Sequence, residues 1–376
     1  MSTRAPLVLL AAGGTGGHLF PAEALANALD RRGIAVDLAT DRRAATYAGK
    51  FPARRIHVLP SDTVRGRNPL RLAFTALVLG YGVLRAALLL LWLRPVAVVG
   101  FGGYPTLPPV MAAWLLRIPR IVHEQNAVLG RANRLLAARA SAIATGYPDI
   151  LAAKPALAIK AVHTGNPVRA AVREAVARAY EEPAETKTFR LLVFGGSQGA
   201  RVMSEIVPGA IERSAAALRA RIRVVQQCRT EDLEEVRAIY ARLGVPAELA
   251  AFFDDLPERI AASHLVIARS GASTVAELAA IGRPAILVPL PHALDQDQLA
   301  NATVLVAAGG ALLVRQDDFT AERLMQELSQ LAERPAILAG MAAAARRTGR
   351  IDAAERLTDL VMRVAGLPQM GQNSPA

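Results

Sequence analysis

Two short segments of this chain share one pattern: an apolar strand, a glycine turn and the start of a helix. The first is LLAAGGTGGH (Leu9–His18), and the second is LVFGGSQGA (Leu192–Ala200), about 180 residues later. Short apolar runs alternate with helical patterns along the rest of the chain, which is typical of parallel sheets covered by helices on both faces. The repeat therefore predicts two Rossmann-like, doubly wound α/β domains rather than one long sheet.

A change in composition between the two glycine turns indicates the domain boundary. The segment EAVARAYEEPAETKT (Glu174–Thr188) is polar and contains a proline, so we place a linker within Gly165–Thr188. We predict an N-terminal domain at 1–165 and a C-terminal domain at 166–350. A helix at 351–366 is predicted to return to the N-terminal domain, and residues 367–376 are predicted to be a disordered tail.

The net charge of +12 lies entirely in the first half of the chain. Residues 1–165 hold 20 Lys/Arg and 7 Asp/Glu, a net of +13, whereas residues 166–376 hold 24 and 25, a net of −1. Such a field attracts nucleic acid, anionic lipid or acidic substrates. Nucleic acid is the weakest of these, because only 5% of residues are aromatic and no helix-turn-helix, RRM or zinc-finger pattern occurs. The single cysteine, Cys228, excludes a disulfide framework and a Cys-based zinc site.

The most apolar segment of the chain is Leu72–Leu93, which as a straight helix would be ~33 Å long, enough to cross a bilayer. Arg85 in its middle opposes crossing by ~2.5–3.5 kcal/mol. A crossing would also put strand Pro95–Gly100 on the opposite side of the membrane from strand Leu7–Ala12. We therefore predict a helix that is partly buried and partly presents an apolar face to lipid, with a wholly buried core helix as the alternative. The predicted apolar face is extended by Trp114, Leu115 and Leu116. Basic residues flank this apolar surface: Arg65, Arg67, Arg71, Arg94, Arg117 and Arg120.

Two common nucleotide-binding fingerprints are absent from the glycine turns. The dinucleotide pattern needs a third glycine where Leu19 stands, and no Walker sequence occurs. Each turn still leads into a helix N-terminus, whose free amides and dipole can hold an anion; a plain tight turn is the alternative. GFGGYPTLP (Gly100–Pro108) and HEQN (His123–Asn126) also follow predicted strands, so they should share the ligand-binding edge of the first sheet.

In the second half, RSGASTVAELAAIG places a helix start near Ala272. Thr274 and Glu277 have the spacing of a capping box, which local sequence favours. The functional alternative gives this helix start a diphosphate and gives Glu277 the hydroxyls of a ribose. Downstream, PHALDQDQLANA (Pro291–Ala302) offers polar side chains that could contact sugar hydroxyls or simply begin a helix.

Together these motifs resemble the MurG family of bacterial UDP-N-acetylglucosamine (UDP-GlcNAc) transferases. The resemblance covers roughly residues 7–365, in order, and includes the motifs GGTGGH, FGGYP, HEQN, GNPVR, GGSQGA and RSGASTVAE with GRPAILVPLPHA. It implies a GT-B architecture, in which two Rossmann-like domains face a cleft. It also implies inverting transfer of GlcNAc to the 4-hydroxyl of MurNAc in undecaprenyl-diphosphate-MurNAc-pentapeptide (lipid I), which forms lipid II for peptidoglycan synthesis.

The resemblance also implies where the enzyme works and what it meets. It places the protein peripherally on the cytoplasmic face of the bacterial plasma (inner) membrane. The implied partners are UDP-GlcNAc, lipid I, an anionic membrane surface and other cell-wall synthesis or division proteins, with no nucleic acid.

The resemblance carries site residues over to matching positions of this chain. His18 is the first candidate for the catalytic base, and Glu124 is the second, either as base or as a partner that orients the reaction. Gly14 and Tyr104 are acceptor-side candidates. The implied donor-binding positions are Thr15, Gly16, Gly17, Asn126, Arg169, Ser197, Phe253, Ala272, Ser273, Thr274, Val275, Ala276, Glu277 and Gln298.

Two of the implied positions depart from the family pattern. Many relatives carry an aliphatic residue at Phe253, and Gln296–Asp297 differ from the glutamine pair of some relatives, so Gln298 is the position we carry over.

The leaving group needs its charge stabilised, and no D-x-D metal motif stands in a suitable loop. We therefore expect helix N-terminal amides to hold the diphosphate, with no cofactor and no essential protein-bound metal. Arg269 is either a cationic helper or an ion-pair partner.

Two rivals remain at the level of sequence. A UDP-sugar 2-epimerase of the same architecture would leave the basic, apolar first half unexplained, and a non-enzymatic membrane scaffold would not need His18 or Glu277.

Overall fold

The polypeptide is described here by a computed structural model that covers residues 5–13, 16–42, 51–63, 68–184, 187–196 and 199–368. Some positions predicted above lie outside these residues: Gly14, Thr15, Arg65, Arg67, Ser197 and the tail from residue 369.

Strands and helices alternate along the described residues. The strands are β1 (Leu7–Ala11), β2 (Ala35–Thr40), β3 (Ile56–Val58), β4 (Ala97–Gly100), β5 (Arg120–Glu124), β6 (Ala142–Thr145), β7 (Ala161–His163), β8 (Phe189–Phe194), β9 (Ile222–Gln227), β10 (Ala247–Ala250), β11 (Leu265–Ala268), β12 (Ala285–Leu287) and β13 (Ala311–Leu313). The helices are α1 (Gly16–Asp30), α2 (Pro69–Leu93), α3 (Leu107–Leu115), α4 (Arg131–Leu136), α5 (Pro155–Ala158), α6 (Ala170–Ala175), α7 (Arg201–Arg213), α8 (Ala216–Arg221), α9 (Leu233–Arg242), α10 (Leu256–Ala262), α11 (Ala272–Ile281), α12 (Asp297–Ala307), α13 (Ala321–Glu333), α14 (Pro335–Thr348) and α15 (Ala353–Val364).

The first of two units contains the chain up to Arg169 and again from Ile351 onward. Its described strands form one parallel sheet in the order β3-β2-β1-β4-β5-β6-β7. Strand β1 is buried along its whole length, and its side chains alternate between the two faces. Val8 and Leu10 belong to the core that α1 and α15 cover, whereas Leu7 and Leu9 belong to the core that α2, α3 and α4 cover. The sheet is therefore doubly wound.

Helix α15 closes the first face of this sheet. Its apolar residues recur at helical spacing, so that Leu357, Leu360 and Val361 are buried in the same core as Val8 and Leu10. At the edge of this contact, Glu355 accepts a hydrogen bond from Arg31 at 3.0 Å, and Asp359 accepts one from Arg32 at 3.3 Å. The C-terminal helix thus supplies part of the core of the first unit.

Helix α2 begins and ends with clear signals. Pro69 occupies its first turn, and the Asn68 side chain accepts hydrogen bonds from the amides of Leu70 and Arg71 at 3.0 and 3.5 Å. It ends at Leu93, and the next residue, Arg94, caps it in the left-handed conformation. The helix packs on α3, and its side toward the domain is buried at Thr75, Gly82, Ala86, Leu90 and Leu93.

The second unit is Ala170–Arg350. Its described strands form a parallel sheet in the order β10-β9-β8-β11-β12-β13, which is the 3-2-1-4-5-6 arrangement of a nucleotide-binding fold. Helix α6 packs against α10 and α11 of this unit. The hydroxyl of Tyr180 donates to the His264 carbonyl at 3.1 Å. The chain is therefore folded onto the second unit up to Tyr180, within the segment where we predicted a linker.

In each sheet the strand order reverses beside the first strand of that sheet. The reversal lies between β1 and β4 in the first unit and between β8 and β11 in the second. Open α/β sheets bind ligands at the carboxyl ends of the strands at such a point. The segments that follow these strands are therefore candidate ligand-binding segments within each unit, and in the first unit the neighbouring end of β5 joins them.

Candidate active site

His18 lies in the first turn of α1, directly after the glycine turn that follows β1. Its Nδ1 lies 3.1 Å from the Oε1 of Gln125, the residue that follows β5. The ring also rests on the backbone after β4. A Cβ atom added at Gly102 or at Gly103 would lie 3.4 Å from the nearest ring carbon. Three neighbouring strand ends of one sheet thus hold this imidazole, and its ring is partly accessible.

Glu124 is buried at the end of β5, and both of its oxygens accept hydrogen bonds. Oε1 accepts from the backbone amide and the side chain of Asn126 at 3.0 and 3.2 Å. Oε2 accepts from the Gly130 amide at 2.8 Å and from the Asn133 side chain at 2.9 Å. The carboxylate therefore fixes the loop between β5 and α4, and this geometry favours an orienting role for Glu124 over that of the base.

The loops after β4 and β1 need glycine for different reasons. Gly102 and Gly103 have φ values of +83° and +72°, which L side chains rarely adopt. Gly13, after β1, is crowded instead, since a Cβ atom there would lie 2.9 Å from the Pro105 ring and 3.0 Å from Asp41 Oδ1. Tyr104, an acceptor-side candidate, begins the short 3-10 helix that follows and is partly exposed.

Asn126 and Arg169, which the resemblance assigns to donor binding, both lie in the first unit. Arg169 places its guanidinium 4.5 Å from the centre of the Phe20 ring, a cation–π contact with α1. Burial raises the pKa of Glu23, one turn further along α1, and the charge of Arg169 opposes this shift. The structure therefore brings Arg169 next to the helix that carries His18.

His123, within the HEQN segment, is a buried structural group. Burial lowers its pKa to about 4, although the hydrogen bond to the Gly165 carbonyl, 3.1 Å from Nε2, opposes this. Its ring packs against Phe101 with the centroids 5.4 Å apart. His123 is therefore neutral near neutral pH and ties β5 to the start of the Gly165–Arg169 segment.

In the second unit, helix α11 begins at Ala272, at the carboxyl end of β11. Gly271 occupies the cap position with φ −60° and ψ 151°, and no side chain in the described residues caps this helix start. Thr274 lies inside the first turn, so the capping box of Thr274 and Glu277, which local sequence favours, does not form. The first-turn amides of Ala272–Thr274 are therefore not capped by a side chain, and the helix dipole adds a positive field there.

Buried side chains brace this helix start. Asn301 donates to the Ser270 carbonyl at 3.2 Å, and the Ser270 hydroxyl donates to the Gln298 carbonyl at 2.8 Å. The Gln298 side chain in turn accepts from the Leu290 amide at 3.0 Å. Glu277 is buried one turn into α11. The strand end, the helix start and the loop before α12 thus form one connected structure.

Arg269 is held by backbone carbonyls. It donates to the carbonyls of Val288 and Pro289, each at 3.0 Å, and to the Gln316 side chain. Burial lowers the pKa of its guanidinium. Of the two roles that the sequence left open, these contacts support neither an ion pair nor a free cation; Arg269 ties β11 to the segments after β12 and β13.

Phe253 follows the carboxyl end of β10, and two acidic residues, Asp254 and Asp255, come directly after it. Phe253 is buried, and Arg259 stacks 4.2 Å from the centre of its ring. Asp255 occupies the cap position of α10, but its carboxylate accepts from Arg259 at 2.7 Å rather than from the helix amides. In the described residues, no group of three or more His, Cys, Asp or Glu side chains is arranged to hold a metal ion.

Three structural features of the site were not predicted from the sequence. Gln125 contacts His18, and the Asn166 side chain donates to the Gln125 carbonyl at 2.8 Å. Asp41 directly follows the buried strand β2, and the rule that polar residues after buried strands line the site would have found it. Asp295 and Gln296 have φ values of +58° and +53°, a strained pair just before α12 that no sequence signal reveals.

Comparisons with known proteins agree on one family. Residues 8–145 match the glycosyltransferase family 28 N-terminal domain, and residues 190–357 match the glycosyltransferase family 28 C-terminal domain. A relative from Rhodopseudomonas palustris (strain BisB18) is 60% identical over 98% of each chain. A relative from Bradyrhizobium sp. (strain BTAi1) is 59% identical over 98% of this chain and 100% of its own. Both are named UDP-N-acetylglucosamine--N-acetylmuramyl-(pentapeptide) pyrophosphoryl-undecaprenol N-acetylglucosamine transferase.

Solved structures give the same fold. The crystal structure of Acinetobacter baumannii MurG matches with a TM-score of 0.78 and 29% identity, over 95% of this chain and 99% of that chain. A UDP-GlcNAc 2-epimerase from Neisseria meningitidis matches with a TM-score of 0.66 at 14% identity, over 96% of this chain and 100% of that chain, which shows a shared fold alone. The predicted two-domain α/β architecture of GT-B type is confirmed, and the epimerase rival gains no support. The chain belongs to glycosyltransferase family 28 and, within it, to the MurG family of UDP-GlcNAc-dependent N-acetylglucosaminyltransferases.

Proposed function

We propose that His18 is the catalytic base of this transferase and that the first turn of α11 holds the diphosphate of the donor. The reaction is that of the family: GlcNAc passes from UDP-GlcNAc to the 4-hydroxyl of MurNAc in lipid I, and lipid II forms. We place the nucleotide there because of one observation: α11 starts without a side-chain cap, at the point where the strand order of the second sheet reverses.

The chemical step assigns one task to each unit. An unprotonated ring nitrogen of His18 takes the proton of the acceptor hydroxyl as the oxygen bonds to the anomeric carbon of GlcNAc. The bond from that carbon to the diphosphate oxygen breaks, and its electron pair leaves with UDP. Attack from the face opposite the diphosphate inverts the anomeric configuration. The amides of Ala272–Thr274 and the dipole of α11 stabilise the charge that develops on the leaving group.

The remaining donor contacts follow from the placement of the side chains. We assign Glu277 to the hydroxyls of the ribose, because it lies one turn after the amides that would hold the diphosphate. We assign Gln298 to the donor sugar, because it lies at the start of α12 and is bonded through Leu290 and Ser270 to the same structure.

Steady-state kinetics with UDP-GlcNAc and a soluble lipid I analogue test these roles. His18→Ala should lower kcat by about 10²–10⁴-fold with little change in the KM for UDP-GlcNAc, the range expected when a general base is lost. Glu277→Ala should instead raise the KM for UDP-GlcNAc about tenfold or more, since it removes a hydrogen-bonding carboxylate. Unchanged constants in both folded variants would defeat the assignment.

We also propose that the first unit docks on an anionic lipid surface through the exposed face of α2. Seven exposed side chains alternate at spacings of four and three residues and form one stripe along the helix: Leu70, Phe74, Leu77, Tyr81, Leu84, Leu88 and Leu91. Leu70 and Leu77 are 81% and 73% exposed. An apolar surface of this extent is unusual on a monomeric soluble protein and is typical of a binding face.

Basic and aromatic groups that lie on or contact α2 and α3, two helices packed against each other, form what we call the basic border, as expected at a lipid headgroup layer. Arg55 lies 5.4 Å from the centre of the exposed Trp92 ring, and Arg139 lies 5.0 Å from that of Trp114. Arg71, Arg85 and Arg94 are also exposed, and each basic residue near an anionic surface adds about 1 kcal/mol. The acceptor carries an undecaprenyl chain that keeps it in the bilayer, so a lipid-bound first unit would meet it there.

Helix α2 is long and apolar enough, by length and composition, to cross a membrane. We propose that it lies along the surface instead, because the strands at its two ends belong to one sheet. β3 precedes it and β4 follows it, and both are paired into the sheet through β2 and β1. A crossing would separate these strands. We therefore place the enzyme peripherally, on the cytoplasmic face of the plasma membrane, where nucleotide sugars are made.

A further inference from the structure

We propose that Gln125 sets the tautomer of His18 and is thereby a positioning residue for the transfer reaction. This inference rests on the proposed role of His18 as the base. A neutral imidazole carries one proton on either Nδ1 or Nε2, and only the nitrogen without the proton can accept one from the acceptor hydroxyl. The group that faces Nδ1 therefore decides which nitrogen is available.

The orientation of the Gln125 side chain follows from its partners. Its Nε2 lies 2.8 Å from the Phe101 carbonyl oxygen, and its Oε1 lies 3.1 Å from His18 Nδ1. A carbonyl oxygen can only accept, so the NH₂ group of the amide must face Phe101. The reversed amide would place two oxygens against each other and leave a buried carbonyl without a donor, because Gln125 is only 2% exposed.

The tautomer of His18 follows from that orientation. Since the oxygen of the Gln125 amide faces Nδ1, this nitrogen must carry the proton in order to donate. Nε2 is then left with a free lone pair. The base is thus ready on the nitrogen away from Gln125, and the same contact also favours the imidazolium that forms after proton transfer, because Nδ1 keeps its proton there.

The surrounding backbone holds this arrangement at both ends. The Phe101 amide donates to the Ala11 carbonyl at 2.9 Å, which fixes the carbonyl of the same residue at the end of β4. The Gln125 carbonyl accepts from the Asn166 side chain at 2.8 Å. Gln125 thus connects the segments that follow β1, β4 and β5. A positioning residue that is itself fixed in this way keeps the base in one orientation.

The test uses Gln125→Met, which keeps the length of the side chain and removes both hydrogen bonds. We expect kcat to fall about 10- to 100-fold, with the KM for UDP-GlcNAc within twofold of that of the original protein. Nitrogen-15 NMR of the histidine rings, with the His18 signals identified by their loss in His18→Ala, should show protonated Nδ1 in the original protein. Gln125→Met should shift the proton toward Nε2.

Two further variants keep the test decisive. Gln125→Glu, as the protonated acid that burial favours, still donates to the Phe101 carbonyl and keeps an oxygen facing Nδ1, so it should retain the tautomer and at least tenfold more activity than Gln125→Met. Gln226→Met is the matched control, since Gln226 is a buried glutamine of the second unit that accepts from Tyr240 at 2.7 Å. It should leave both the His18 signals and kcat unchanged.

The outcomes separate this inference from the proposed function. A His18 tautomer that stays the same in folded Gln125→Met, or a loss of activity that Gln125→Glu does not restore, overturns the role of Gln125 and leaves His18 as the base. A tautomer that changes while kcat does not would overturn the role of His18 itself, and with it the catalytic consequence of Gln125.

Discussion

At the scale of single residues, Gly102 and Gly103 decide where the His18 ring can lie. Both have positive φ values, and the ring rests on their backbone. A side chain at Gly103 would place its Cβ 3.5 Å from His18 Nε2, the nitrogen that we expect to meet the acceptor hydroxyl. These glycines therefore affect both the stability of the loop and access to the base that we propose, His18.

Replacement of Gly103 separates these two effects when a matched glycine serves as control. Gly33 has nearly the same φ, +71° against +72°, and nothing lies within 4 Å of a Cβ added there. We expect Gly33→Ala to lose about 1–2 kcal/mol of unfolding free energy and Gly103→Ala up to about 3 kcal/mol, because the ψ of 161° at Gly103 together with its positive φ is a conformation essentially restricted to glycine. Only Gly103→Ala should lower kcat, by about tenfold or more. Equal kcat in the two variants would show that this loop does not limit the base.

Buried His123 makes the stability of the first unit depend on pH. Its pKa is lowered to about 4 by burial, so the unfolded chain binds a proton more readily than the folded chain does. The contribution of neutral His123 to the free energy of unfolding is therefore fully present above pH ~6.5, the pKa of histidine in the unfolded chain. As the pH falls toward 4, this free energy decreases by about 3 kcal/mol in total. Urea unfolding followed by tryptophan fluorescence reports on this unit, because Trp92 and Trp114, the only tryptophans, both belong to it.

The variant His123→Gln provides the comparison for this effect. Carboxylates also lose stability in acid, so the quantity to compare is the difference in unfolding free energy between pH 7.5 and pH 4.5. This difference should be smaller in His123→Gln than in the original protein. An identical difference would mean that His123 is not held neutral by burial.

The sequence reveals the type of a site residue more readily than its partner. His18 and Glu124 stand out because polar groups after apolar runs are expected at a ligand-binding edge. Gln125 stands in the same HEQN segment, but its role depends on Phe101 and His18, which are 24 and 107 residues away. The prediction of a capping box at Thr274 and Glu277 was wrong. Helix α11 already begins at Ala272, so Thr274 lies inside its first turn and cannot be the cap residue.

At the scale of elements, strand burial explains which strands could be predicted. β1, β4, β8 and β11 are buried and apolar throughout or nearly so, and each was visible as an apolar run. β6 was not predicted although it is buried, because its four residues, AIAT, are too few and too small to stand out as an apolar run. β3, β7 and β10 were not predicted either. They are edge strands of three or four residues with partly or largely exposed side chains, so they show neither an apolar run nor a clear alternation.

The exposed stripe of α2 gives a prediction for membrane binding. Leu77→Glu should lower partition onto vesicles of phosphatidylglycerol and phosphatidylethanolamine about tenfold or more, because a leucine buried in lipid is worth about 1.5–3 kcal/mol and the new charge is repelled. Ile337→Glu, an exposed apolar site in the second unit, is the matched control. Flotation of both variants measures the effect.

Charge reversal at basic residues that precede or begin α2 in the sequence extends this test. Replacing Arg65, Arg67 and Arg71 by Glu should weaken binding to the anionic vesicles, and added salt should weaken the binding of the original protein. Equal flotation of Leu77→Glu and Ile337→Glu would reject the α2 surface. Unchanged flotation of the charge variant would reject the basic border.

At the scale of the whole molecule, the chain leaves the first unit and returns to it. Helix α15 buries Leu357 in the core that contains Val8 and Leu10. Leu357→Ala should therefore destabilise the first unit by about 2–5 kcal/mol, visible as an earlier tryptophan fluorescence transition in urea. Leu328→Ala, an equally buried leucine in the core of the second unit, should shift this transition less. The opposite order of the two shifts would contradict this packing.

The doubly wound topology was the most predictable property of the molecule. Strand, glycine turn and helix recur in both halves, and crossovers between parallel strands are right-handed, which leaves few possible strand orders. The division of work that we propose between the halves was suggested by charge, since an excess of basic residues suits an anionic lipid surface. Contacts that join distant segments, such as Arg31 with Glu355, depend on the completed fold and have no local signal.

Our central proposal is that the second unit binds the diphosphate of the donor at the first turn of α11. A crystal structure with UDP-GlcNAc tests this most directly. We predict diphosphate oxygens within about 2.7–3.2 Å of the amide nitrogens of Ala272, Ser273 or Thr274, with the ribose hydroxyls at Glu277. A nucleotide bound away from this turn, with these amides facing solvent, would contradict the account.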